Sequence, residues 1–321
     1  MKRNLSIIFV VFMVFALVMT GFASKGESDE KKSVAMILPG LKTDEAFNQY
    51  TYEGMLRAQK ELGIETASRE EVTQDEQLEV IRQFAQQGFG IIIGQGGQFG
   101  EALQTVAKEF PDQHFVFSVG TDTGGVPNLT AATVSYSHAG YLGGIMAAHT
   151  TKRNKVAMIT GEWYDPHRQL EASFKAGVAA VNKDVEVTSV TIGSWSDVNK
   201  AREASLALIA DGYDVLLPCL DAAFVGVLAA AEDSDNVFVV GSVVDMAQVA
   251  PDVTVGSVVF NWEELGYQEA SGKLLDGKTH ILGMAENGIT PVTGKLLSAE
   301  GKAAVEEAIE ALKAGKIDVA P

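Results

Sequence analysis

The feature that most constrains this chain is a rhythm. Short runs of Val, Ile and Leu, apolar at every position, alternate with helix-length amphipathic stretches. A strand apolar on both faces is one covered on both faces, and strands separated by helices pair in parallel. The spacing predicts strands over 34–38, 91–93, 115–119 and 129–134, with a short extended piece at Ile64. Helices are predicted over 44–62, 77–87 and 99–110, stopped by Gly63, Gly88 and Pro111. Near residue 153 the rhythm restarts. Strands are predicted over 155–160, 185–191, 215–217, 237–240 and 253–260, and helices over 141–151, 169–182, 198–211, 224–232, 263–275 and 298–314. That is too many strands for one comfortable sheet, so the expected fold is α/β with two doubly wound lobes. A βα barrel competes at this length. The hairpin-like adjacency of 115–119 and 129–134, with no helix between them, argues against it.

The first residues read as an address. Lys2 and Arg3 precede an apolar run from Leu5 to Met19, and Gly21-Phe22-Ala23 offers small residues for cleavage. The run is short of the roughly 20 residues that span a bilayer. Residues 1–23 are therefore expected to be a secretory signal peptide, followed by a flexible leader over 24–33. No cysteine follows the apolar run, so a lipid anchor is not supported. The expected location is periplasmic or cell-surface. With 42 acidic residues against 25 basic ones, a formal charge of −17, the chain is a poor partner for nucleic acid. Its single cysteine, Cys219, excludes an internal disulfide and a zinc site of several cysteines.

In open α/β sheets ligands sit beyond the carboxyl ends of the strands, at the strand-to-helix loops. Those loops hold Asp44, Phe47 and Asn48, then Gly94 to Gly100, Asp122, Trp163, Trp195 with Asp197, Asp221, Asp245, and Asn261 with Trp262. Flat rings beside carboxylates and amides suit a polar planar or sugar-like ligand. Structural roles compete for several of them. Asp44 and Asp197 have the spacing of helix caps, Trp163 and Trp195 can pack between lobes, and Phe224 and Phe99 open apolar helices. The glycine loop after Ile93 lacks the dinucleotide spacing, since Phe99 stands where the third glycine belongs. Neither the five histidines nor any serine forms a ligand or nucleophile motif. Cys219 ends an apolar strand and reads as a buried structural thiol. No catalytic residue, metal or cofactor is expected. Tyr136 and His138 read as surface or hinge residues, and Asn128-Leu129-Thr130 is a weak glycosylation match.

The stretch Leu38-Pro39-Gly40, Asp44 to Gln49 and Tyr52-Glu53-Gly54 resembles the opening of the basic membrane protein family, substrate-binding proteins of bacterial ABC importers. Pro127-Asn128, Tyr141-Leu142-Gly143 with Ala147-Ala148, Gly193 to Asp197, Asp211 to Asp214, Val240-Gly241 with Asp245-Met246, and Ser257 with Asn261-Trp262 continue the likeness in order. The resemblance implies a type I periplasmic-binding-protein fold with a three-segment hinge. The lobes it implies are 34–135 with 259–285, and 136–258 with 286–321. It also implies a monomer that passes a small ligand, a purine nucleoside or nucleobase, to a membrane permease. By the same resemblance Phe47 is a stacking ring, Asp44 and Asn48 are polar contacts, and Asp245 accepts from ribose hydroxyls. Trp195 and Phe224 stand near the opposing aromatic positions. The expected binding set is completed by Asp122, Trp163 and Asn261. Two departures stand out: Phe260-Asn261-Trp262 replaces the family's lysine, and the loop at Gly120 to Asp122 replaces its usual Asp-ending strand. A sensory receptor and a secreted nucleoside hydrolase are the alternatives.

Overall fold

The computed structural model describes residues 33–44 and 46–319; the expected signal peptide and nearly all of the leader lie outside them. Residues Lys32–Pro321 form one compact unit built on two six-stranded sheets. The first contains β1 (Ser33–Ile37), β2 (Glu65–Arg69), β3 (Ile91–Gln95), β4 (His114–Ser118), β5 (Leu129–Val134) and β11 (Thr279–Leu282). Its order is β11-β5-β4-β3-β1-β2, and every pair is parallel. The second contains β6 (Lys155–Thr160), β7 (Glu186–Thr191), β8 (Val215–Cys219), β9 (Phe238–Val243), β10 (Thr254–Phe260) and β12 (Ile289–Thr293). Its order, β12-β10-β9-β8-β6-β7, repeats the first, except that β12 runs antiparallel to β10. The expected α/β architecture of two doubly wound halves is what the chain adopts.

Nine helices cover these sheets among the described residues: α1 (Phe47–Leu62), α2 (Gln77–Gln86), α3 (Gly100–Glu109), α4 (Tyr136–Thr150), α5 (Asp165–Val181), α6 (Val198–Ala210), α7 (Phe224–Glu232), α8 (Trp262–Ala270) and α9 (Ala299–Lys313). None of the described helices is long and apolar enough to cross a membrane. The chain passes between the sheet systems three times, from β5 to α4, from β10 to α8, and from β11 to β12. After the second passage α8 returns to pack on α1, while α4 packs on α5 and α9. Both helix pairs meet through glycines. A Cβ on Gly54 of α1 would lie 2.2 Å from the Glu263 carbonyl oxygen of α8, and one on Gly177 of α5 would lie 2.1 Å from the Tyr141 oxygen of α4. Backbones this close leave no room for a side chain.

Three readings need correction. β4 and β5 are neighbours but pair in parallel, with Phe115 beside Leu129. The segment between them recrosses the sheet end without a helix, so adjacency along the chain did not mean a hairpin. β11 and β12 were not foreseen. They are edge strands, short and half-exposed, and β12 carries Pro291, which an edge tolerates. Tyr136 is no surface residue: it is 4 % exposed and begins α4, five residues earlier than expected. Ser135 caps that helix, its hydroxyl accepting from the His138 N–H. The hinge reading of His138 agrees with the contact made by its Nδ1, which accepts from the Met284 N–H on the third passage at 3.1 Å. Phe99 and Cys219 lie in the core as expected.

Candidate functional site

Each sheet has its topological switch point where the order reverses, between β1 and β3 in the first and between β6 and β8 in the second. Loops leaving those strands diverge to opposite faces and open a crevice at the carboxyl ends, where open α/β sheets bind ligands.

On the first sheet the loop after β1 carries Asp44. Its Oδ1 accepts from the Ala46 and Gln49 N–H groups at 3.0 Å each. Its Oδ2 accepts from the Asn48 N–H at 3.1 Å and the Asn48 amide at 2.8 Å. The carboxylate is thereby saturated: it caps α1 and contributes negative charge at the helix's positive end rather than open lone pairs. Asn48, 5 % exposed, is left with an unpartnered Oδ1. Phe47 sets its ring edge-on to Trp262, centroids 5.1 Å apart, and Trp262 in turn packs edge-on to Phe260 at 5.4 Å.

The second sheet supplies rings and a further carboxylate. Tyr164 follows β6, and His167 lies in the first turn of α5. The His167 ring stands 5.2 Å from Tyr136 and 4.8 Å from Trp195, while Tyr164 and Trp195 lie nearly parallel at 6.4 Å. The Tyr164 ring faces the other sheet: a Cβ on Gly97, after β3, would lie 3.6 Å from it. His167 is 7 % exposed with no partner on Nδ1, and burial pushes its pKa down to about 4, so it is a neutral imidazole. Asp221 leaves the end of β8. Burial of its carboxyl, with the Asp44 charge opposite, pushes its pKa up to about 7. Cys219 beside it is pushed up to about 12 by burial and is an inert thiol.

A cleft of about 860 Å³ opens along this crevice. It is lined by Asp44 and Tyr50 from the first loop and α1, Phe224 from α7, Asp245 after β9, and Asn261 and Trp262 after β10. The volume is that of a pocket for a small organic ligand. Asp245 Oδ1 accepts from the Ser257 hydroxyl at 3.0 Å and from the Ala247 N–H at 3.2 Å. The Asn261 amide bonds Thr290 at 3.0 Å, tying the second passage to the third. Four carboxylates line the cleft against one guanidinium, Arg57, which bonds Glu263 at 2.9 Å and Glu264 at 2.7 Å. Two valines in the left-handed region, Val119 (φ 62°) after β4 and Val243 (φ 72°) ending β9, occupy corresponding places in the two sheets. That conformation is strained for a β-branched residue, and such strain gathers at functional sites.

Asp44, Phe224, Asp245 and Asn261 thus come together in the cleft wall, with Phe47 and Asn48 directly behind it. Trp195 joins the ring group of the second sheet. Trp163 packs on the core of that half, with the Arg168 guanidinium 5.5 Å over its ring. Asp122 stands apart: it is exposed, and Oδ1 accepts from the Gly124 N–H at 2.8 Å within a turn. Asp221, Tyr136, Tyr164 and His167 were missing from the expected set. Asp221 had a legible signal, a carboxylate following the apolar strand at the second switch point. Tyr164 had the same signal as its neighbour Trp163, a ring in the loop after a strand; Tyr136 and His167 had none, because their neighbours come from distant segments. Among the described residues no group of three or more His, Cys, Asp and Glu is arranged to hold a metal.

Comparison with known proteins agrees with this fold. The chain is 25% identical over 274 residues to the transcriptional activator protein Med of Bacillus subtilis, covering 84% of each. It is 28% identical over 270 residues to a purine-binding protein of Brucella abortus, covering 83% of this chain and 75% of that one. A solved solute-binding protein of an ABC transporter system from Aeropyrum pernix superposes with a TM-score of 0.80 over 89% of this chain and 92% of its own, at 18% identity, a likeness of fold. The family model for PnrA-like ABC transporter substrate-binding proteins matches residues 31–317, and the chain belongs to that family, the basic membrane proteins.

Proposed function

We propose that this protein is an extracytoplasmic receptor that carries a purine nucleoside or nucleobase to an ABC permease, binding it in the cleft between two lobes. The observation that carries the reading is one cleft that gathers Asp44 from the loop after β1, Phe224 from the segment after β8, and Asp245 and Trp262 beside them, in a substrate-binding family. Residues 34–135 with 259–285 form one lobe, and 136–258 with 286–321 the other. A ligand touching both stabilises the closed arrangement by its differential affinity, and the permease reads that arrangement. Phe47 and Phe224 supply apolar ring surface, and Asp245 accepts from sugar hydroxyls. The purine-binding relative supports the ligand class. The ligand leaves chemically unchanged.

Thermal unfolding with a panel of nucleosides, nucleobases, sugars and amino acids tests this. A purine at about 100 times its Kd adds roughly 2.7 kcal/mol of stability, and chromatography recovers it intact. A shift with a sugar or amino acid and none with any purine would overturn the reading.

A further inference from the structure

The cleft has two unlike walls. On the side of the first loop, α1 and α8 it is lined by Asp44, Arg57, Glu263 and Glu264, with the guanidinium held by the two glutamates. On the side of the second sheet it is lined by Phe224, Val225, Val244, Val249, Val259 and Val292. Val225 lies in the first turn of α7, and Val244 and Val249 stand on either side of Asp245 along the segment after β9. Val225 is 44 % exposed and Val249 59 %, the highest value for a large apolar side chain among the described residues. Single exposed apolar residues are ordinary on a protein surface, whereas several gathered in one concave wall mark a binding surface. Closing the lobes on each other does not by itself cover these valines well. The facing wall carries three carboxylates against one guanidinium, and a carboxylate pressed onto methyl groups loses its water without gaining a partner. A ligand polar on one side and aliphatic on the other satisfies both walls. The volume of about 860 Å³ is near the upper end of the roughly 300–1,000 Å³ of small-molecule sites, which leaves room for an aliphatic group beside a nucleoside.

We propose that the ligand of this cleft is a nucleoside carrying an aliphatic substituent, which lies on the valine wall, and that Val225 and Val249 select it over unsubstituted purine nucleosides. The proposal rests on the reading of this cleft as a nucleoside site. Asp245 takes the sugar hydroxyls, and Val244 and Val249 beside it place apolar surface next to the sugar. The substituent can be borne by the sugar or by the base, and its chemistry toward the wall is the same in both. Burying roughly two of its carbons there tightens binding by about tenfold. The wall that selects it is shallow and exposed, so the selection is of an aliphatic group in general rather than of one shape.

Calorimetric titration of the wild type and of the double variant Val225→Ser, Val249→Ser with adenosine, 5′-methylthioadenosine and N6-isopentenyladenosine tests the assignment. The wild type should bind at least one of the two substituted nucleosides about tenfold or more tighter than adenosine. In the double variant that preference should fall to about threefold or less, while adenosine holds within about twofold. Both side chains are exposed, so the variant keeps its fold, which a thermal melt checks. Which of the two substituted nucleosides gains shows whether the sugar or the base bears the group. Equal binding of all three nucleosides by the wild type, or a preference that the variant retains, overturns the assignment. So does an equal loss for all three in the variant, because the valines would then serve lobe closure and not the substituent. If no nucleoside binds the wild type, the nucleoside reading falls, and Nile red, a neutral planar dye that brightens in apolar surroundings, decides the valine wall. Fluorescence that rises with the wild type and is lost in the double variant keeps the wall as a site for an aliphatic-bearing planar ligand, and absent or unchanged fluorescence overturns it.

Discussion

Replacing Glu269 by Gln should change how the stability of this protein depends on pH. Glu269 lies on α8, fully buried, and neither carboxyl oxygen has a partner in hydrogen-bond geometry. Burial pushes its pKa from 4.5 up to about 8, although the Ser118 hydroxyl pulls the other way. The folded protein thus keeps a proton that the unfolded chain releases above about pH 4.5. Stability falls with rising pH wherever the native state binds more protons, so the cost begins near pH 4.5 and levels off above pH 8. At about 1.4 kcal/mol per pKa unit, the cost is about 1 kcal/mol at pH 5, about 3 at pH 7 and about 4 at pH 8. Glutamine has nearly the same shape and no titration. Its amide brings a fixed penalty of its own, so the informative quantity is the change with pH, not the offset. Denaturant unfolding of the wild type and Glu269→Gln at pH 5 and pH 8 should show the variant gaining about 3–4 kcal/mol relative to the wild type between the two. Parallel stabilities, within about 1 kcal/mol, would refute the reasoning. They would mean that water or an unseen donor solvates the carboxylate inside the fold.

Two further substitutions probe the frame that holds the cleft. Gly54→Ala forces a methyl to 2.2 Å from the Glu263 oxygen and must separate α1 from α8; it should cost about 1–3 kcal/mol or more, read as a lower Tm. Asn128→Ala should cost about 1–3 kcal/mol in denaturant unfolding, because the Asn128 amide serves the carbonyls of Ala107, Phe110 and Gln113 at 2.9–3.0 Å. The same bonds give the Asn128-Leu129-Thr130 match a structural reason that needs no sugar.

The chain itself determined the layout. Buried parallel strands must be apolar along their whole length and helices must carry a stripe, so both halves were legible as local periodicity, and so was the restart near residue 153. The loop of Asp44, Phe47 and Asn48 was legible too, because a helix start following a strand end is a local event. The edge strands β11 and β12 were not, since a half-exposed edge has no continuous apolar run to betray it. The direction of β5 against β4 depended on where the intervening segment recrosses the sheet. The tertiary structure alone decided which polar groups remain open. It saturates Asp44 with its own helix, turns Asp122 into a loop tether, and leaves Asn48 Oδ1 buried with no partner. A side chain's sequence position shows what it can accept; whether its neighbours have already filled it depends on contacts between segments far apart in the chain.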